Sequence, residues 1–292
     1  MWPDRKDGYG RSHCISRQHD VGHLHDFFGA ENINPDSTPD SIREGTTSCA
    51  LSGDKSAYWV PAALNTSVHE MIAYYQLVPG GDNSALNPYS HGLKIIAGAV
   101  PHDEDSTPSP HVQWGCQDAV ADNPLPVDCG DRRAKVHVEF PDCQSRDASG
   151  ELIDDSTDHR SHMAYSDSRG PSSHPYKVPK LKIHVIYEAH DGRQIQFAVD
   201  PYDFHADFMN GWDDAVLKQA IDECITDQRY GCQRISDEDQ HAPVEPVIPG
   251  PNNECPGAEV VNTTTGTGNK QSPPFGIEGD RSRITITVVP TS

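Results

Sequence analysis

Long apolar runs are missing from this sequence: no stretch of about 18 consecutive apolar residues occurs, so no membrane-spanning helix is expected. Positive charge is scarce too. Against 44 Asp and Glu stand 23 Lys and Arg, a formal net charge of −21, and such a field repels phosphate backbones and anionic bilayers. Nucleic acid and membrane are therefore excluded as expected partners. No G-x-S-x-G elbow, P-loop or dinucleotide fingerprint occurs, which argues against the common α/β serine hydrolases and against nucleotide enzymes. No C-x-x-C pair of the kind that grips zinc is present. Repeats of fixed period and low-complexity stalks are likewise absent.

Hydrophobic residues make up 35% of the chain, while Gly and Pro number 23 and 24, so turns and ordered loops must separate short strands. The 292 residues suffice for one large β domain or two smaller ones, which needs no oligomer, and a monomer is expected. Eight scattered cysteines, Cys14, Cys49, Cys116, Cys129, Cys143, Cys224, Cys232 and Cys255, read as disulfide partners. Disulfides require an oxidising compartment, and the sequons at Asn65 and Asn262 are used only in a eukaryotic secretory route, so a secreted, extracellular protein is expected. Met1 leads into Trp-Pro-Asp-Arg-Lys-Asp without an apolar run, so a signal peptide is expected to have been removed or to be absent from this chain.

Along the chain, alternation marks strands at Gly22–Gly29 and Lys135–Phe140, and an apolar run flanked by glycine and proline marks one at Lys94–Val100. Ala57–Leu64 and Met71–Val78 have the aromatic and β-branched content of core strands and are expected to form a hairpin after the Pro/Ser/Thr/Asp-rich loop 32–48. A second hairpin is expected around Asp191-Gly192, joining Leu181–Ala189 to Gln194–Val199. One segment is helical by its spacing: Asp213 to Ile225 places Val216, Leu217, Ala220, Ile221 and Cys224 on one face. The resulting fold class is mainly β, a β-sandwich or jelly-roll-like domain with long loops, few helices and several disulfides. A histidine-rich domain is expected at 11–236, followed by a Pro-rich linker and C-terminal extension at 237–292 that ends in a lone strand near Arg283–Val289.

Sixteen histidines are the chemical signal. On an extended strand His23 and His25 point to one side, about 7 Å apart at Cα, so both imidazoles can reach one ion. His205 and Asp207 repeat that spacing with phenylalanines on the opposite face, while His162 and His174 sit in loop-like sequence. One reading is a divalent metal (Zn, Cu, Mn or Ca) held by His23, His25, His174, His205 and Asp207, with acids such as Asp26 fixing the imidazole tautomers. Another is metal-free acid-base chemistry on a sugar or uronic acid; a third is that the histidines only tie loops together. Candidate catalytic residues are His23, His25, His162, His205, Lys55 and Tyr165, the last two by residue type as proton-transfer groups. Trp59 and Trp212 offer faces for sugar rings, with Asp54 and Arg160 as polar contacts, although a buried Trp and a structural Asp54–Lys55 pair are the commoner fates. Among 44 acids no carboxylate pair stands out for glycoside hydrolysis.

Six segments, in this order, resemble a family of secreted bacterial and fungal proteins known only as a domain of unknown function. They are Gly22–Gly29 (GHLHDFFG), Asp54–Ala62 (DKSAYWVPA), Gly92–Gly98, Phe140–Cys143, Asp158–Tyr165 (DHRSHMAY) and His205–Trp212 (HADFMNGW). Several members carry carbohydrate-binding modules, so the resemblance implies secretion and association with cell walls or plant polymers, without implying a reaction. The lead into the first histidine motif, Gln18–Val21, is shorter than in the family. The expected function is cleavage of an extracellular polysaccharide, by hydrolysis or elimination, at a histidine-lined pocket. The alternatives are a non-catalytic cell-wall or glycan-binding protein and a secreted metal-binding protein.

Overall fold

Strand-forming sequence in this chain is short and turn-bounded, and it assembles into two four-stranded antiparallel sheets packed face to face. The computed structural model describes residues 15–16, 22–76, 86–99, 107–117, 119, 121–166, 171–188 and 194–226. The C-terminal extension and its expected strand lie outside the described residues. In chain order the strands are β1 (Ile15–Ser16), β2 (Gly22–His23), β3 (His25–Gly29), β4 (Ala57–Pro61), β5 (Val68–Gln76), β6 (Lys94–Gly98) and β7 (Val112–Cys116). They continue with β8 (Ala134–Glu139), β9 (Cys143–Gln144), β10 (Met163–Ala164), β11 (Tyr176–Lys177), β12 (Lys180–Tyr187) and β13 (His205–Met209).

The first sheet has the order β3-β4-β13-β6 and the second β5-β12-β8-β7. Register turns each strand's alternation into rows. On the inner face of the first sheet Phe28, Tyr58, Phe208 and Ile95 line up across the four strands, and Val60, Ala206 and Ala97 follow. They meet Met71, Ala73, Tyr75, Val136, Val138, Ile183 and Val185 of the second sheet in one core. Phe208 is fully buried, and truncation to Ala at such a site costs about 3–5 kcal/mol. Two sheets with interdigitating inner faces are a β-sandwich, the architecture that the strand pattern predicts.

Two expected hairpins are not formed, for topological reasons. β4 lies between β3 and β13, so both its edges are taken, and β5 crosses to the other sheet to pair with β12. β12 in turn lies between β5 and β8, which leaves residues 194–199 no edge to join. Phe197 bridges Ala63 instead, and Ala198 N–H donates to the Ala62 carbonyl. The turn at 191–193 lies outside the described residues.

The expected helix is present as α2 (Asp214–Ala220), continued by a π-helical turn over Ile221–Thr226. Its N-cap Asp213 accepts from Ala215 N and Val216 N, a cap worth about 1 kcal/mol. Leu217, Ala220 and Ile221 face the core. A second helix, α1 (Pro39–Arg43), interrupts the loop expected over 32–48. Thr38 and Ser41 cap it reciprocally and Pro39 occupies its first turn, signals that outweigh the loop-like composition. Cys116, ending β7, is disulfide-bonded to Cys129, whereas Cys49 is a buried thiol. Cys14, Cys232 and Cys255 lie outside the described residues. No helix among the described residues is long and apolar enough to cross a membrane.

Candidate metal centre

The outer face of the first sheet carries the chemistry. Because side chains alternate across a strand, the residues between the core rows form rows of their own. One row is Phe27–Trp59–Asp207–Ile96. The next toward the sheet's end is His25–Pro61, then His205–Gly98, the register of β4 and β13 continuing to place Pro61 opposite His205. The opposite end of this face is covered by Ile42 of α1 and by Ile33, packed with Ala57, Trp59 and Met209. The short ring of Pro61 between two imidazoles lets both reach over it. His23 arrives from β2, separated from β3 by Leu24, with its ring centroid 4.3 Å from that of His25.

Three imidazole nitrogens converge here. His205 Nε2 lies 3.3 Å from His23 Nε2 and 3.4 Å from His25 Nε2, and one ligand atom of each histidine lies within 4.8 Å of the others. With Zn–N bonds near 2.0–2.1 Å, two nitrogens on a tetrahedral ion stand about 3.3 Å apart. The spacing therefore matches two edges of a tetrahedral site. His205 Nδ1–H donates to the Asp203 carbonyl at 2.8 Å; a carbonyl only accepts, so the neutral ring must present its lone pair at Nε2. Burial, and after it the neighbouring His23 and His205, push the His25 pKa well below its ordinary value, and the neutral imidazole is the form that ligates. Three imidazole nitrogens suit Zn or Cu, whereas Ca takes oxygen ligands.

Asp207 borders the trio on the His205 side. Its Oδ2 is 3.7 Å from His205 Nε2, the residue is 1% exposed, and Oδ2 accepts no hydrogen bond among the described residues. Burial pushes its pKa up to about 7, against the opposing pull of the Arg160 charge. Asp26, expected to hold an imidazole, does not. It is adjacent to His25 in sequence and so points to the inner face, where Oδ2 accepts from Ala63 N at 3.3 Å.

The other residues singled out by sequence have separate places. His162 is buried, with Nδ1 on the Ser156 hydroxyl at 2.8 Å, and half-buried His174 meets Ser173 and the Ser161 carbonyl. Neither contributes to the converging trio. Lys55 donates to the Arg43 carbonyl at 2.8 Å at the end of α1. Tyr165 stacks on His111 with centroids 3.4 Å apart and donates to the Glu139 carbonyl; burial raises its phenol further. Asp54 accepts from the Tyr58 hydroxyl at 2.7 Å and from Ser56 N, and burial pushes its pKa up to about 6. Trp212 donates to the Tyr75 hydroxyl in the same buried network. Trp59 stacks on Phe27 at 5.4 Å. Both indoles are 1% exposed, so neither presents a face for a sugar ring. Arg160 reaches the site's edge, donating to the carbonyls of Gly98 and Ala99.

Sequence reasoning missed the Asp203 carbonyl, the Pro61 spacer and Gly98. A backbone acceptor leaves no trace in residue type, but the proline and glycine become legible once the strand register is known. No curated protein and no solved structure matches the chain. A family model does match, over residues 14–212, from ahead of the His23 motif to the tryptophan that closes the last motif. The chain therefore belongs to the family described as Domain of unknown function (DUF1996).

Proposed function

We propose that this domain is a mononuclear metalloprotein in which His23, His25 and His205 hold one divalent transition metal, and that it is a secreted enzyme cleaving an extracellular polysaccharide. The observation that carries the metal assignment is the convergence of three buried Nε2 atoms with one lone pair fixed by the Asp203 carbonyl. Bound there, the ion supplies Lewis acidity and a water nucleophile at neutral pH. The protein's part is to keep three imidazoles neutral and aimed, and to hold the Asp207 carboxylate beside them as acceptor for a proton of that water. Support for export comes from the Cys116–Cys129 disulfide and from Asn65 on the surface, although its side-chain amide donates to the Gln194 carbonyl. The net charge of −21 favours a neutral polymer over a polyanionic one.

A non-catalytic metal-binding protein is the second reading, favoured by the low exposure of the trio, 8%, 3% and 4% for His23, His25 and His205. Elemental analysis of untagged protein separates these from a metal-free site. The wild type is expected to hold about one equivalent of Zn or Cu, and His25→Ala and His205→Ala to hold none. A wild type that cannot be loaded removes the proposal. Product release from neutral cell-wall polysaccharides, abolished in His205→Ala, then distinguishes the enzyme from the metal binder.

A further inference from the structure

We propose that Arg160 is the positioning residue of this centre: it fixes the strand end against which His205 is set. The inference rests on the metal reading above. It also gives a task to the Asp158–Tyr165 motif, which contributes no nitrogen to the trio.

The argument begins at Gly98. This residue ends β6 with φ +90°, a conformation that glycine adopts readily, and it pairs with His205 across the sheet. A Cβ at Gly98 would stand 2.8 Å from the Phe204 carbonyl oxygen and 2.9 Å from His205 Cα. The two backbones are thus pressed together at the metal-ligating histidine, and Ala99 N–H donates to the Phe204 carbonyl at 2.9 Å. Whatever moves the 98–99 turn moves His205.

The Arg160 side chain grips that segment. Arg160 Nη1 donates to the Gly98 carbonyl at 3.2 Å and Nη2 to the Ala99 carbonyl at 2.5 Å, so the planar fork grips two consecutive peptides. The loop that presents Arg160 is itself anchored. Asp158 Oδ1 accepts from Arg160 N, Ser161 N, and the hydroxyls of Ser156 and Ser161. His159, just before Arg160, has φ 53° and gives its carbonyl to Ile96 N at 2.9 Å, lacing the loop to the edge of β6. A left-handed histidine is an uncommon backbone state that the surroundings must hold in place. Two of the five guanidinium N–H donors are thus spent on main-chain carbonyls that set the strand end.

The full-length protein tests this with metal ions alone as probes. Zn affinity by chelator competition and the visible spectrum of the Co(II) form are measured for wild type, Arg160→Met and Arg160→Lys. Arg160→Met is expected to keep one equivalent and a cooperative thermal transition, to bind Zn about 10–100-fold more weakly, as loss of such outer support does, and to shift the Co(II) bands. Arg160→Lys, which restores the charge without the fork, is expected to recover only part of the affinity. Wild-type affinity and an unchanged spectrum in Arg160→Met overturn the proposal. Should Arg160→Met not fold, the same two readings on Arg160→Lys decide it. A wild type that takes up neither ion defeats the metal reading itself, a result seen before any variant is compared.

Discussion

The two sheets each display histidines on their outer faces, and the contrast between them shows what makes a histidine cluster a ligand set. On the first sheet His23, His25 and His205 turn their Nε2 atoms toward one point, beside the Asp207 carboxylate. On the second, His137 of β8 and His184 of β12 are direct cross-strand partners, but their rings lie flat on each other, centroids 3.4 Å apart and planes 9° apart, with Tyr74 against His184. Their neighbours are Lys135 and Lys182, whose charges act on both rings. Both clusters are half of an alternating strand pattern. One is converging and next to an anion; the other is stacked and next to cations, which repel a metal ion as they repel a proton.

The largest effect that sharpens this comparison is on metal binding. Removing one imidazole from the first face, as in His205→Ala, is expected to abolish the single equivalent of Zn or Cu, while His184→Ala leaves it intact. Loading the wild type at about 100 times its dissociation constant is expected to stabilise it by about 2.7 kcal/mol, read as a rise in the midpoint of denaturation. The same addition to His205→Ala should leave that midpoint unmoved. Equal stabilisation of both variants would erase the distinction between the faces.

A second, comparable effect belongs to the other sheet. The Cys116–Cys129 bond closes a loop of separation 13 at the edge of that sheet, and such loops are worth about 3 kcal/mol. The double variant Cys116→Ser, Cys129→Ser is expected to lose about that much stability in urea unfolding and still to bind one metal ion. Loss of metal with the disulfide would show that the two faces are not independent.

The smallest effect is one histidine's share of a pH dependence. Burial, and after it the adjacent lysines, push the His137 pKa down to about 3; burial, then His137 and the same lysines, push that of His184 down to about 2. The unfolded chain takes up these protons near pH 6.5 and the fold refuses them, so stability is present above that pH and is lost as pH falls below it. Between pH 7 and 5 each histidine should contribute on the order of 2 kcal/mol to the loss, and His184→Gln should remove its share. A stability curve identical in the variant would mean that the stacked pair is not held neutral by the fold.

What the sequence discloses follows from what has a period. Gly22–Gly29 and Lys135–Glu139 alternate and lie in strands, the first interrupted at Leu24, the apolar run Lys94–Gly98 is a strand too, and the spacing of Leu217, Ala220 and Ile221 marks the helix α2. The trio was legible in part, because His23, His25 and His205 lie on strands whose alternation puts their side chains on one side. Partner choice was not legible. Ala57–Pro61 and Val68–Gln76 are both strands, yet local composition does not say that the chain changes sheets between them, since that is decided by which edges later strands occupy. The same limit put His174 among the ligands: residue type places a side chain on a loop, and only long-range pairing says where that loop ends up.

The most direct test of the account is X-ray absorption spectroscopy on the metal-loaded wild type. Three imidazoles from one side predict a first shell containing three nitrogens at about 2.0–2.1 Å with the outer scattering of histidine rings, and no bound-metal edge in His205→Ala after the same loading. A shell of oxygens alone, or ring scattering unchanged in His205→Ala, would contradict the assignment of the ion to His23, His25 and His205.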